Sequence, residues 1–234
     1  MMTTQKRPLL SIVIPVLNEA ANLQQQLEAL HPTRDDVEII VVDGGSTDGS
    51  VDIARTYATR VFTTSAGRAR QMNLGASHAV ADMLVFLHAD TVLDDACQQQ
   101  LITIAKSTGW PLWGHFMVRL TGRHWLLRWV EHLMNLRSRW TEIATGDQTL
   151  FVQRSLFQKV GGFPEIALME DIAISSRLKK YHSPIMIDMA VTTSSRRWER
   201  KGVLKTILMM WGLRLAYWCG VNEQRLARIY YGRK

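Results

Sequence analysis

Apolar and polar positions follow two alternating periods over the first hundred residues. Leu9-Leu10-Ser11-Ile12-Val13-Ile14-Pro15 is a short run dense in β-branched residues, the composition of a buried strand. From Glu19 to Leu30 the apolar residues Ala20, Leu23, Leu27 and Leu30 recur at helical spacing, so the two segments predict one strand–helix unit. Val37 to Asp43 repeats the strand pattern. Gly44-Gly45-Ser46-Thr47-Asp48-Gly49-Ser50 is a turn, and a helix is predicted over about Val51 to Tyr57. Arg60 to Thr63 predicts a third strand, Ala66 to Ala79 a third helix, and Met83 to Leu87 a fourth strand that ends at His88-Ala89-Asp90. Strands alternating with helices imply an α/β fold with a mainly parallel central sheet flanked by helices.

The second half is less regular. Leu112 to Leu120, Gln148 to Val152 and Ile185 to Asp188 predict strands, and Trp125 to Arg137 and Met169 to Lys180 predict helices. Beyond Arg200 the pattern predicts a C-terminal amphipathic helix from Val203 to about Tyr217 with a polar helical end. The expected organisation is one catalytic domain over 1–200 and a helical extension over 201–234, packed on the domain or on a membrane surface. Val203 to Val221 approaches bilayer-spanning length, but Lys205 and Arg214 argue against a span, since a charge near the bilayer centre costs about 3 kcal/mol.

Charge separates the two halves. Residues 1–110 carry 8 basic and 12 acidic side chains, a net of −4, whereas residues 111–234 carry 20 and 9, a net of +11, within an overall +7. All eight tryptophans lie from Trp110 onward. Tryptophan mixed with Arg and Lys suits an anionic membrane surface or a phosphate-bearing ligand. No nucleic-acid-binding motif accompanies the charge, so nucleic acid is not an expected partner. Cys97 and Cys219 form neither a disulfide framework nor a metal-ligand spacing, and the polar start at Met1 to Pro8 gives no sign of a signal segment. A cytoplasmic location is expected, with peripheral attachment to the inner face of the membrane as a further expectation.

In open α/β sheets ligands bind beyond the carboxyl ends of the strands. Three segments deliver carboxylates there: Pro15 to Glu19, Asp43 to Asp48, and His88 to Asp90. Asp43 and Asp48 bracket a glycine- and serine-rich turn that serves equally as a helix-capping turn or as a binder of ribose or base. The spacing matches neither GxGxxG nor a P-loop, which argues against hydride transfer and ATP hydrolysis. Asp90 with one neighbour cannot enclose a cation, but Mg²⁺ or Mn²⁺ takes its remaining ligands from water and substrate phosphate. Gly146-Asp147-Gln148 suits either a capped turn or a sugar contact.

Taken in order, Ile14-Pro15-Val16-Leu17-Asn18-Glu19, Asp43-Gly44-Gly45-Ser46-Thr47-Asp48-Gly49, Gly67 to Gly75, His88-Ala89-Asp90, Glu170-Asp171 and Ser194-Ser195-Arg196-Arg197-Trp198 resemble the motif series of family 2 glycosyltransferases of the GT-A fold. The similarity covers roughly residues 9–200. It implies an inverting transferase that moves a sugar from a nucleotide-diphosphate donor to a hydroxyl acceptor on a lipid carrier, glycan or small molecule. By the same resemblance Asp43 holds the nucleobase or ribose, Pro15, Asn18, Glu19 and Asp48 shape that pocket, and Arg68 lies near the nucleotide. Asp90 meets the metal, with His88 a candidate second ligand. Glu170-Asp171 is the catalytic acidic pair with Asp171 as general base, and Asp147, Gln148, Arg197 and Trp198 contact acceptor or diphosphate. His88 stands where the family has the first Asp of DxD, and Ser194 where it has the Gln of QxxRW. A non-catalytic nucleotide-sugar binder and a nucleotidyltransferase are the alternatives. The latter is disfavoured because Pro15 to Glu19 is neither glycine-rich nor basic.

Overall fold

In a computed structural model the chain is described over residues 7–30, 36–107, 109 and 112–232, without the side chains of Arg197 and Lys201. Trp110 and Pro111 therefore lie outside the described residues. The first half builds the expected alternation: β1 (Leu10–Val16), α1 (Ala20–Ala29), β2 (Val37–Asp43), α2 (Ser50–Tyr57), β3 (Arg60–Thr63), α3 (Arg68–His78) and β4 (Met83–Phe86). Then come β5 (Thr91–Val92), α4 (Asp95–Lys106), β6 (Trp113–Leu120), α5 (Trp125–Thr141), a 3₁₀ turn (Gly146–Gln148), β7 (Leu150–Gln153) and α6 (Arg154–Lys159). The chain continues through α7 (Glu170–Leu178), β8 (Ile185–Thr193), α8 (Arg196–Lys201), α9 (Val203–Trp218) and α10 (Glu223–Tyr231).

All strands join one sheet in the order β3-β2-β1-β4-β7-β6-β8-β5. β1 to β4 pair parallel, as does β6 with β8, whereas β7 runs antiparallel between β4 and β6 and β5 runs antiparallel on β8. The expectation of a mainly parallel sheet holds in the β1–β4 half; the reversal at β7 follows because β7 enters from the 3₁₀ turn at the same edge where β4 ends. β1 and β2 are buried on both faces, which is why their sequences read as unbroken apolar runs. Two clusters of buried side chains lie on the sheet's opposite faces, one around Ile12, Ile39 and Val85 and the other around Val13, Ile40 and Leu84. Gly75 in α3 faces Val13 and Val42 so closely that any Cβ there would collide with Val13.

The structure departs from the sequence expectation in the second half. β8 extends to Thr193, five residues beyond Asp188, with a register shift against β6 between Phe116 and Met117. α4 starts where Asp94 accepts the Cys97 N–H at 2.9 Å. The strand expected from Gln148 begins at Leu150, because Thr145 and Gln148 cap one another and hold the 3₁₀ turn. Beyond 200 the expected helix and polar helical end appear as α9 and α10 among the described residues: Leu213 of α9 and Leu226, Ala227 and Tyr230 of α10 share a buried cluster with Ile143, Leu168, Met169 and Ile172.

Candidate active site

The β1, β2 and β4 strands end side by side, and the loops beyond them form one rim. Asp43, the last residue of β2, is buried. Its Oδ2 accepts the N–H groups of Gly45 at 2.8 Å and Ser46 at 3.0 Å, while Oδ1 is buried with no hydrogen-bond partner. A buried carboxylate oxygen left open is costly unless a ligand donor fills it. Gln71 of α3 fixes the strand ends by donating to the carbonyls of Val16 and Val42, each at 2.8 Å.

The other residues of this rim tie the loops together. Asn18 adopts φ 54°, and its Oδ1 accepts the Thr47 N–H at 2.8 Å. Asp48 accepts from Ser50 Oγ at 2.5 Å, from Ser50 N at 3.2 Å and from Ala20 N at 3.1 Å, clipping α1 to the turn before α2. The Ser50 hydroxyl bond leads the causes that hold this carboxyl below its ordinary range. Glu19 accepts from Asn22 at 2.7 Å and lies 3.9 Å from Arg196, and Pro15 is the penultimate residue of β1.

A second group of side chains meets at the start of α3 and α7. Arg68 opens α3 and pairs with Glu170 of α7, Nη1 to Oε1 at 3.2 Å, joining residues 102 apart in sequence. Burial by itself would lower the Arg68 pKa, but the charges of Glu170, Tyr231, Asp171 and Asp90 more than reverse it, so the guanidinium stays firmly protonated. Burial likewise pushes the Glu170 carboxyl up, against the pull of Arg68. Met169 turns the chain into α7 with φ 73°. Asp171 then accepts the Gly146 N–H on Oδ2 at 2.9 Å and the Ile172 N–H on Oδ1 at 2.8 Å. A small pocket lies here, lined by His88, Thr145, Gly146, Glu170, Asp171 and Ser175. The His88 imidazole presses on Gly146 so tightly that a Cβ at 146 would overlap the ring.

Asp90 is half-buried just past β4, and its backbone oxygen accepts the Ser194 N–H at 3.0 Å, which ties the rim to the junction of β8 and α8. Among the described residues no three His, Cys, Asp or Glu side chains gather as a metal cage.

Asp147 accepts from Thr145 Oγ1 at 2.6 Å, and burial pushes its carboxyl up. Gln148 is fully buried: its amide donates to Ser138 Oγ at 2.7 Å and its Oε1 accepts the Thr145 N–H at 3.1 Å. Trp198 packs against Leu120, Leu127 and Val130. The Arg197 side chain lies outside the described residues; its backbone is in the first turn of α8. The sequence reading missed Arg137 and Arg214. Arg137 donates to Thr145 Oγ1 at 3.2 Å and Gln148 Oε1 at 3.3 Å, and its pKa is pushed down to about 10 by burial and then by the nearby Arg214. Nothing in Arg137-Ser138-Arg139 marks one arginine as inward and the other as exposed, except the helical phase set by the buried Asn135 and Ser138.

A family model described as glycosyl transferase family 2 matches residues 11–156, from the second residue of β1 through β4 and β7, including the rim beyond β1, β2 and β4. The chain belongs to glycosyltransferase family 2. A relative from Mycobacterium tuberculosis named as a PGL/p-HBAD biosynthesis glycosyltransferase is 31% identical over 170 residues, covering 67% of this chain and 63% of the relative. This family member thus spans less than two thirds of that relative's length. Among solved structures, a Pyrobaculum calidifontis mannosyltransferase in complex with GDP-Man and Mn²⁺ superposes with a TM-score of 0.59 at 22% identity, covering 80% of this chain and 57% of that one. Glucosyl-3-phosphoglycerate synthase from M. tuberculosis, solved with Mn²⁺, UDP and glucosyl-3-phosphoglycerate, gives 0.60 at 19% identity over 92% and 81% of the two chains. At these identities the likeness establishes the GT-A fold, in agreement with the motif order in the sequence.

Proposed function

We propose that this glycosyltransferase moves one sugar from a nucleoside diphosphate donor to an acceptor hydroxyl by direct displacement, with Asp171 taking the acceptor's proton. The observation that carries the reading is the Arg68–Glu170 pair at the start of α7, next to Asp171, together with the buried, unpartnered oxygen of Asp43 at the end of β2. Asp43 accepts a hydrogen bond from the donor's base or ribose, with Pro15, Asn18, Glu19 and Asp48 as the walls of that pocket. Asp48 acts there by holding the loops, since Ser50 and Ala20 already engage both of its oxygens. Arg68 faces the nucleotide. Asp90, with His88 as candidate second ligand, would hold Mg²⁺ or Mn²⁺; when bound, such an ion offsets the negative charge that grows on the departing diphosphate.

The oxygen of the acceptor forms the new bond to the anomeric carbon as the bond to the diphosphate breaks, so the configuration inverts. Each Asp171 oxygen already accepts one backbone N–H, which fixes the carboxylate and leaves a lone pair on each for the acceptor's O–H. Glu170 holds Arg68 in position beside it. Asp147 and Gln148 order the loop next to the acceptor, and Arg197 and Trp198 belong to the same side through the Asp90–Ser194 link. In this reading residues 1–200 form the catalytic domain and 201–234 a helical extension. That extension attaches the enzyme to the inner face of a membrane through exposed tryptophans on α9. The neighbours solved with GDP-Man or UDP and Mn²⁺ support the donor class and the metal.

The test is to screen UDP-, GDP- and dTDP-sugars with Mn²⁺ for a rise in melting temperature, because ligand binding to the folded state stabilises it. One nucleotide class is expected to stabilise the protein, and Asp90→Ala should remove the metal's share of the effect. Asp171→Asn should keep nucleotide binding and lose transfer by about 10²–10⁴-fold. Full activity of that variant rejects the assigned base.

A further inference from the structure

Arg137 of α5 hydrogen-bonds the 145–148 loop that donates to Asp171, and Arg214 of α9 follows Leu213, which packs with Met169 and Ile172 on either side of Asp171 in sequence. Each has its Nε buried without a hydrogen-bond partner, and neither makes an ion pair with a carboxylate among the described residues. Arg137 reaches only neutral oxygens, those of Thr145 and Gln148. A guanidinium carries five N–H donors in a planar fork, and leaving such donors unfilled in the interior is unfavourable. Two like charges at close range add repulsion; Asp147 and Asp171 offset it in part. Arg68 pairs with Glu170, the residue before Asp171, whereas Arg137 holds the 145–148 loop whose Gly146 N–H donates to Asp171, so both arginines border the segment that carries this carboxylate.

We infer that Arg137 and Arg214 form a binding site for a phosphate group carried by the acceptor, seating the acceptor so that its hydroxyl meets Asp171. A phosphate monoester offers three oxygens and close to two negative charges, which matches two converging guanidiniums better than a neutral sugar does. The inference rests on the proposed role of Asp171, and it assigns the donor diphosphate to Arg68.

The probe is phenyl phosphate, with phenol as the neutral control, titrated calorimetrically into the full chain with Mn²⁺, both without and with a saturating nucleoside diphosphate chosen from UDP, GDP and dTDP. Phenyl phosphate should bind saturably in both cases and phenol should not. Arg214→Gln should weaken phenyl phosphate by about tenfold or more while nucleotide affinity stays within about twofold, and Arg214→Lys should fall between. In the unmutated protein, two arginine Nε–H resonances should shift with phenyl phosphate and not with phenol, a readout independent of any variant's folding. Absence of saturable binding, equal binding by a folded Arg214→Gln protein, or displacement of phenyl phosphate by the nucleotide overturns the inference. Failure of every nucleotide to bind would instead count against the proposed donor chemistry, and the titration without nucleotide still decides the phosphate site.

Discussion

The Gly146 N–H donates to Asp171 Oδ2 at 2.9 Å, joining the loop before β7 to the first turn of α7 across 25 residues of sequence. The same glycine lies against the His88 imidazole with no room for a methyl group. One backbone unit therefore spaces the strand-end histidine from the carboxylate read as the base. Gly146→Ala is expected to force the ring or the loop aside, with a stability loss of about 1–3 kcal/mol. Activity should fall further than this destabilisation explains at temperatures where the variant is folded. Melting curves and initial rates on one preparation check it; wild-type rates would show that the spacing does not matter.

Asp43 gives a second expectation. Its Oδ2 serves the turn and its buried Oδ1 serves nothing within the chain. Asp43→Asn can keep the turn's acceptor while presenting an NH₂ where the ligand's donor arrives. Donor affinity should drop by about ten- to a hundredfold, the worth of a charge-assisted hydrogen bond of about 1.5–3 kcal/mol. The melting temperature without ligand should change little. Equal nucleotide affinities in a calorimetric titration would remove Asp43 from the donor pocket.

How far the chain could be read without coordinates follows from where its contacts lie. β1 to β4 form from local runs and parallel neighbours, so hydrophobic period alone places them within one or two residues. Motif order singled out Asp43, at the end of β2, Asp90, just past β4, and Asp171, in the first turn of α7, as candidate carboxylates. The length of β8 was not legible, because its outer half is held by β5 and β6 rather than by an apolar run: its burial alternates irregularly and a register shift interrupts it. Arg137 and Arg214 were not legible either. Their buried, unpartnered Nε atoms arise from the packing of α5 and α9 in the fold, an event without local signature.

The Arg68–Glu170 pair predicts a pH-dependent variant. Burial raises the Glu170 carboxyl and Arg68 opposes that rise, so Arg68→Ala moves the folded-state pKa further above its ordinary value. Between the unfolded and folded values the native state then holds more protons than the unfolded one, and stability falls as pH rises. The deficit of Arg68→Ala relative to wild type should thus be smaller near pH 5 and grow toward about pH 8, reaching about 1–3 kcal/mol, given that Arg68 is partly exposed. Urea denaturation at the two pH values checks the sign. A deficit independent of pH would mean that Glu170 is not the group left uncompensated.

The outer faces of α5 and α9 carry the last prediction. Trp125, Trp129 and Trp140 on α5 and Leu204, Leu208, Trp211, Leu215 and Trp218 on α9 are all exposed, while Leu213 and Thr206 of α9 are buried. Among the described residues no helix is long and apolar enough to cross a membrane. Exposed Trp and Leu side chains on a helix are the kind that enter a headgroup layer. The net +11 of residues 111–234 favours anionic headgroups. The protein should cosediment with phosphatidylglycerol vesicles at low salt, less so with phosphatidylcholine, and be released as salt screens the attraction. Replacing Trp211 and Trp218 together by Ser should cut vesicle binding by about tenfold or more, as two interfacial indoles are withdrawn, and leave the melting temperature nearly unchanged because neither packs in the core. Equal recovery with both vesicle types would remove the membrane reading and leave sugar transfer untouched.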